Sequence, residues 1–202
     1  MFDKLLARND VTEVLELRGK VGFLAFHGGA LERVTDVVAS EAAARSGGSY
    51  YGVLHPDDAA HVPSALVDPA HSPALREFLA HVHVAVAVHG YGRQGWHRHV
   101  LLGGRNRRLA SHVRVHLTRR LPDYDHVDQL DSIPRELRGI HPDNPVNRPR
   151  AAGVQIELPP LLRWHRDAHN WSDTDGTARA PQVEVLIDAL VGAAASWRLP
   201  MT

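Results

Sequence analysis

The stretch FLAFHGGALERVTD, residues 23–36, decides the fold. VGFLAF, 21–26, is an unbroken apolar run closed by two glycines, the pattern of a buried strand. From Leu31 to Ser46 the spacing becomes helical, and Gly47-Gly48 punctuates its end. His27 therefore stands where a strand leaves its sheet, and Glu32 one tight turn later, opening the helix. In open α/β sheets, ligands bind at the carboxyl ends of the strands. An imidazole and a carboxylate converging at that edge supply two-thirds of a catalytic zinc site, which commonly takes three protein ligands and leaves one position for water.

Reading outward, residues 1–20 carry a helical turn and a lead-in to that strand, and SYYGVLH, 49–55, reads as a second strand. Residues 56–72 are rich in Pro, Asp and Ala and read as loop. Ser72 and Pro73 have the chemistry of an N-cap and a first helical position, so a helix runs to His81. Val82, Val84, Val86 and Val88 then alternate with His83, Ala85, Ala87 and His89, a strand whose small-residue face needs a close neighbour. A strand over 97–104, a helix over 107–120, a strand over 153–160 stopped by prolines and a helix over 181–197 complete the pattern. Strands alternating with helices predict a single α/β domain over 1–202, a three-layer sandwich with a mixed, mostly parallel sheet.

A chain of 202 residues can bury a real core, and its 44% apolar content is ordinary. Lys plus Arg and Asp plus Glu number 23 each, so no net charge draws the chain to nucleic acid or anionic membrane, and neither is expected as a partner. The basic run GGRNRRLA, 103–110, reads as a solvated helix start in preference to a polyanion patch. There is no cysteine, which excludes disulfides, thiolate metal sites and cysteine nucleophiles. Neither a signal-peptide pattern nor an apolar membrane span is evident, so the expected location is the cytoplasm and the expected state a monomer.

Three strand ends carry polar groups in apolar surroundings: His27 with Glu32, His89 before Gly90, and Glu157 inside GVQIELP. Each has a plainer reading. His27 and His89 could bind backbone carbonyls, and Glu32 could simply answer the helix dipole. Glu157 is the least ordinary, because a carboxylate buried in a sheet is costly unless paired or functional. His97 and His99 could replace His89, and His165 with His169 has i, i+4 spacing in a run that reads as irregular polar loop. His81 and His83 read as packing or surface residues, and Tyr50 and Tyr51 as core residues of a strand, one of which could face the cleft.

Taken together, HGG-x-x-E, GGSYY, VAVHG, LLGG and N-x-x-N-R leading into GVQIEL resemble the poly-γ-glutamate hydrolases from about residue 20 to 200. These are zinc-dependent enzymes, many encoded by bacteriophages, with a fold similar to the zinc carboxypeptidases. The resemblance implies one zinc ion per chain, ligated by His27, Glu32 and His89, with Glu157 as general base. The H-x4-E spacing departs from the H-x-x-E of the digestive carboxypeptidases. Its extra residues include Gly28 or Gly29, which can adopt positive φ and tighten the turn. The implied substrate is poly-γ-glutamate or another γ-glutamyl or acyl-glutamate amide. Arg148, with Asn144 and Asn147, is the candidate for gripping a substrate carboxylate, and Arg93, Arg105 and Arg163 compete for that role. The rival readings are a related zinc carboxypeptidase or amidohydrolase acting on another acyl-glutamate or a cell-wall peptide, a phage replication or nucleic-acid-binding protein, and a catalytically dead relative.

Overall fold

The computed structural model describes residues 1–198. A short helix, α1 (Phe2–Leu6), precedes strands β1 (Thr12–Glu16) and β2 (Val21–Gly29). Helix α2 (Thr35–Ser46), β3 (Ser49–His55), α3 (Pro73–His81) and β4 (Val84–Gly90) follow. Then come β5 (His99–Leu102), α4 (Arg107–Arg120), β6 (Asp125–Val127) and β7 (Gly153–Leu158). The chain continues through α5 (Pro160–Arg163), the two-residue strands β8 (Trp164–His165) and β9 (Asn170–Trp171), and α6 (Pro181–Ser196).

The main sheet has seven strands in the order β1-β3-β2-β4-β7-β5-β6. Its centre, β3-β2-β4-β7, is parallel, while β1 and β5 pair antiparallel with β3 and β7. Helices α2, α4 and α6 cover one face, where Val84, Val86 and Val88 of β4 meet Val38, Leu109 and Leu186. The other face packs Ala85 and Ala87 against Phe2 of α1, Leu75 and Phe78 of α3, and Val146. The two faces of β4 thus divide as its valine–alanine alternation predicts, small residues lying where α3 approaches closely. Three layers and a mixed, mostly parallel sheet result.

Local chemistry explains most boundaries. The Ser72 hydroxyl accepts from Leu75 N–H at 2.8 Å with Pro73 at the first helical position, and Asn106 does the same for Leu109 at the start of α4. Arg107 in the basic run folds back to donate to the carbonyls of Leu102, Gly103 and Gly104, so the run clamps a strand end onto a helix start. Tyr50 and Tyr51 are both buried in the core, on opposite faces of β3.

Strand β5 is shorter than expected, His99–Leu102 against 97–104, and two further differences bear on the site. The second helix begins at Thr35 and not at Leu31, because residues 30–34 make a turn first. That turn ends at Val34, whose φ of +79° is a strained value for a β-branched residue. Strand β2 runs on through His27 to Gly29, with one extra residue relative to β3 between Ala25 and Gly28. Strands β1 and β6 were too short and too polar to be read from hydrophobic periodicity. Among the described residues, no helix is long and apolar enough to cross a membrane.

Candidate active site

The bulge in β2 creates the site. Strict alternation would send His27 to the side of Phe23 and Ala25, away from His89, which follows Ala85 and Ala87 on β4. The extra residue breaks that alternation and re-aims the side chain. Beyond it, Gly29 adopts φ +69°, Ala30 N–H donates to the His55 carbonyl at 2.9 Å, and Glu32 N–H returns to the His27 carbonyl at 2.8 Å. This closed turn brings Glu32 over the strand end. Its Oε1 lies 2.9 Å from His27 Nδ1, and its Oε2 lies 3.2 Å from His89 Nδ1 and accepts Gly90 N–H at 2.9 Å.

One potential ligand atom from each of His27, Glu32 and His89 lies within 4.8 Å of the others. The tautomers favour a cation there. His27 Nε2 donates to the Val62 carbonyl at 2.8 Å, which leaves its Nδ1 as a lone pair aimed at His89 Nδ1, 3.2 Å away, and at the Glu32 carboxylate. Three electron-rich atoms thus converge with too few protons between them, and a divalent ion fits the donor set. Burial works to raise the Glu32 carboxyl, but when no cation is bound and the two imidazoles carry protons instead, their charge and hydrogen bonds hold it well below the usual carboxylate range. Burial likewise opposes charge on His89, yet the Glu32 carboxylate keeps its pKa above normal.

Glu157 stands opposite His89 in the β4–β7 register and is 3% exposed. Burial pushes it up to about 7, against the opposing pull of His89. Its Oε1 accepts from Gln155 Nε2 at 2.7 Å, and Gln155 Oε1 accepts from Asn144 Nδ2 at 2.7 Å. The His27–Glu32–His89 cluster and Glu157 line one cavity of about 720 Å³, walled by His61, Arg135, Arg138, His141 and Asn144 among others.

Of the residues expected to bind substrate, only Asn144 lines this cavity. Asn147 holds its own loop, donating to the Gly139 and His141 carbonyls and accepting Arg105 N–H. Arg148 is exposed, pairs with Asp143 at 3.3 Å and lies outside the lining. Arg93 pairs with Glu136 at the surface. Arg163 is buried behind the cluster: it donates to the Arg33 and Tyr91 carbonyls, stacks 4.9 Å from the Trp171 ring, and is lowered by burial to about 10, so it stays charged beside the carboxylates. His97 is exposed, His99 packs 4.7 Å from the Trp96 ring, and His165 accepts Ala168 N–H; none joins the cluster. Composition and spacing gave no signal for His61, Arg135 or Arg138, because the loops that bring them to the cavity carry no periodicity, nor for Gln155, a strand glutamine whose partner Asn144 comes from a loop.

The family model for poly-gamma-glutamate hydrolase matches residues 7–179. The chain belongs to that family. Its members are hydrolases, and so is this protein. The chain is similar to the structure of a bacteriophage poly-gamma-glutamate hydrolase, with a TM-score of 0.77 at 21% identity over 92% of this chain and 88% of that one. It is also similar to the zinc-free structure of YNDL, at a TM-score of 0.72 and 18% identity over 93% and 90% of the two chains. A metallo-carboxypeptidase from Burkholderia cenocepacia aligns at a TM-score of 0.52 and 10% identity, over 94% of this chain and 65% of that one. No curated protein sequence matches the chain. The carboxypeptidase-like fold of the family is the one described above.

Proposed function

We propose that this protein hydrolyses the γ-glutamyl amide bonds of poly-γ-glutamate, with one zinc ion held by His27, Glu32 and His89 and with Glu157 as the general base. The observation that carries this reading is the convergence of the three ligand atoms within 4.8 Å on the wall of the cavity that Glu157 also lines. When bound, zinc supplies Lewis acidity, polarising the amide carbonyl and making water easier to ionise.

The protein's own groups do the rest. Glu157 takes a proton from the attacking water and returns it to the leaving nitrogen, so the acyl carbon gains a hydroxyl and the amine departs neutral. The Val62 carbonyl fixes the His27 tautomer, and Gly90 N–H fixes the Glu32 carboxylate. The carboxylates of a polyanionic substrate meet Arg135, exposed on the cavity wall and without a side-chain hydrogen bond or ion pair among the described residues, and Arg138 beside it. Arg135 thereby takes the role expected of Arg148, whose guanidinium faces Asp143.

Purified protein should hold about one zinc per chain, lost in His27→Ala, and should shorten poly-γ-glutamate as read by sizing of the products. A metal-free protein indifferent to chelators would overturn the zinc reading. Unchanged polymer length alongside cleavage of a small acyl-glutamate would replace the substrate.

A further inference from the structure

We infer that Asn144 and Gln155 form a hydrogen-bond relay of fixed polarity that aims the Glu157 carboxylate, an inference that rests on Glu157 being the general base. The relay starts at the backbone. Asn144 precedes Pro145, which has no N–H, so the first free donor of this turn is Val146 N–H, and Asn144 Oδ1 accepts it at 3.2 Å. With its oxygen committed, Asn144 can present only its NH₂ group to Gln155, and the Gly139 carbonyl, which cannot donate, faces the same nitrogen at 3.5 Å.

Gln155 must then turn its oxygen to Asn144 and its nitrogen to Glu157. No protonation choice enters until the last acceptor. The three side chains are 2%, 5% and 3% exposed, so water has little access to replace a lost link. One oxygen of Glu157 is thereby occupied at 2.7 Å and the plane of the carboxylate is set, which leaves its other lone pairs for the reacting water. Asn144 is a positioning residue here, not a substrate contact, although it reaches the cavity wall.

The test uses the full-length, zinc-loaded protein with poly-γ-glutamate. Asn144→Asp keeps the shape but removes the donor, so Gln155 loses its reason to point its nitrogen at Glu157. Asn144→Ser keeps the turn's cap but is too short to reach Gln155, and serves should the aspartate variant fold poorly. Both, and Gln155→Leu, should lower kcat about tenfold or more with KM within about twofold and zinc content unchanged, a share of the ~10²–10⁴-fold a positioned base contributes. Asn144→Asp/Gln155→Leu should be no slower than Gln155→Leu alone, because both changes cut one chain. In the metal-free protein, the Gln155 side-chain amide signal in a ¹⁵N NMR spectrum should shift in Asn144→Asp.

A rise in KM that adds to the effect of Gln155→Leu would mean Asn144 binds substrate directly and would overturn the relay. So would unaltered kcat in all these variants while Glu157→Gln is inactive. Full turnover by Glu157→Gln would remove the base itself and the relay with it.

Discussion

Glu157 combines three properties that act together at the scale of one residue. It is buried, it faces the His27–Glu32–His89 cluster across one strand pair, and its neighbour two residues back donates to it. Burial holds its proton up to pH about 7 in the metal-free protein. As a base it must be ionised, so kcat/KM should rise with pH through its titration. A bound dication stabilises the carboxylate, which places that acid limb at or below about 7. Glu157→Gln keeps the shape and should lower kcat by about 10²–10⁴-fold while retaining zinc and erasing the acid limb. A pH–rate profile with metal analysis checks both, and an acid limb that survives in the variant would assign the titration elsewhere. His27, Glu32, His89 and Glu157 were legible in the sequence because each is a polar residue in or beside an apolar strand, where burial demands a reason. Arg135 and Gln155 were not, the first because its loop has no period and the second because a strand glutamine is unremarkable until its partners are seen.

At the scale of elements, the HGGALE turn brings His27 and Glu32 together, as expected, but by a different route. The sequence placed His27 at a strand end and Glu32 at a helix start. The structure carries β2 past His27, and an irregular turn separates Glu32 from α2. Periodicity reads the core stretches of β2, β4 and α4 because burial imposes their pattern. It cannot read a bulge, whose signature is one residue out of phase. Gly29 is where this geometry is most exposed to change. Its φ is +69°, and an added Cβ would lie 2.6 Å from the His55 carbonyl oxygen, to which the turn is tied. Gly47 has nearly the same φ, +68°, with nothing within 4 Å of an added Cβ. Gly47→Ala should therefore cost only the left-handed backbone penalty, about 1–2 kcal/mol, with zinc affinity unchanged. Gly29→Ala adds a backbone clash and should cost about 1–3 kcal/mol more, with zinc affinity reduced because Glu32 is displaced. Thermal melts and zinc titrations of the pair test this; equal effects on metal binding would detach Glu32 from the turn.

At the scale of the whole molecule, the sheet order sets the site. Parallel neighbours β2, β4 and β7 bring His27, His89 and Glu157 to one edge although they lie far apart in sequence, and the turn after β2 adds Glu32. The unfolded chain has no such constellation, so binding of the proposed zinc ion is linked to folding. At free zinc about 100-fold above its Kd, the gain is about 2.7 kcal/mol, or roughly 5–10 °C in Tm for a chain of this size. The sign of the pH dependence follows from the apo pair. The pKa of His89 is raised in the folded state by Glu32, so its proton contributes stability below the unfolded value of 6.5, and that contribution is lost as pH rises through the folded pKa. Zinc must displace the same proton, so its affinity falls as pH drops into that range. The apo protein thus loses this contribution, and zinc gains affinity, as pH rises from 6.5 through the folded-state pKa. The Tm difference between zinc-loaded and chelated protein should widen over that interval, and His89→Ala should abolish most of it. A constant difference across the interval would mean that zinc does not compete with protons at this cluster, and would move the metal to another set of ligands.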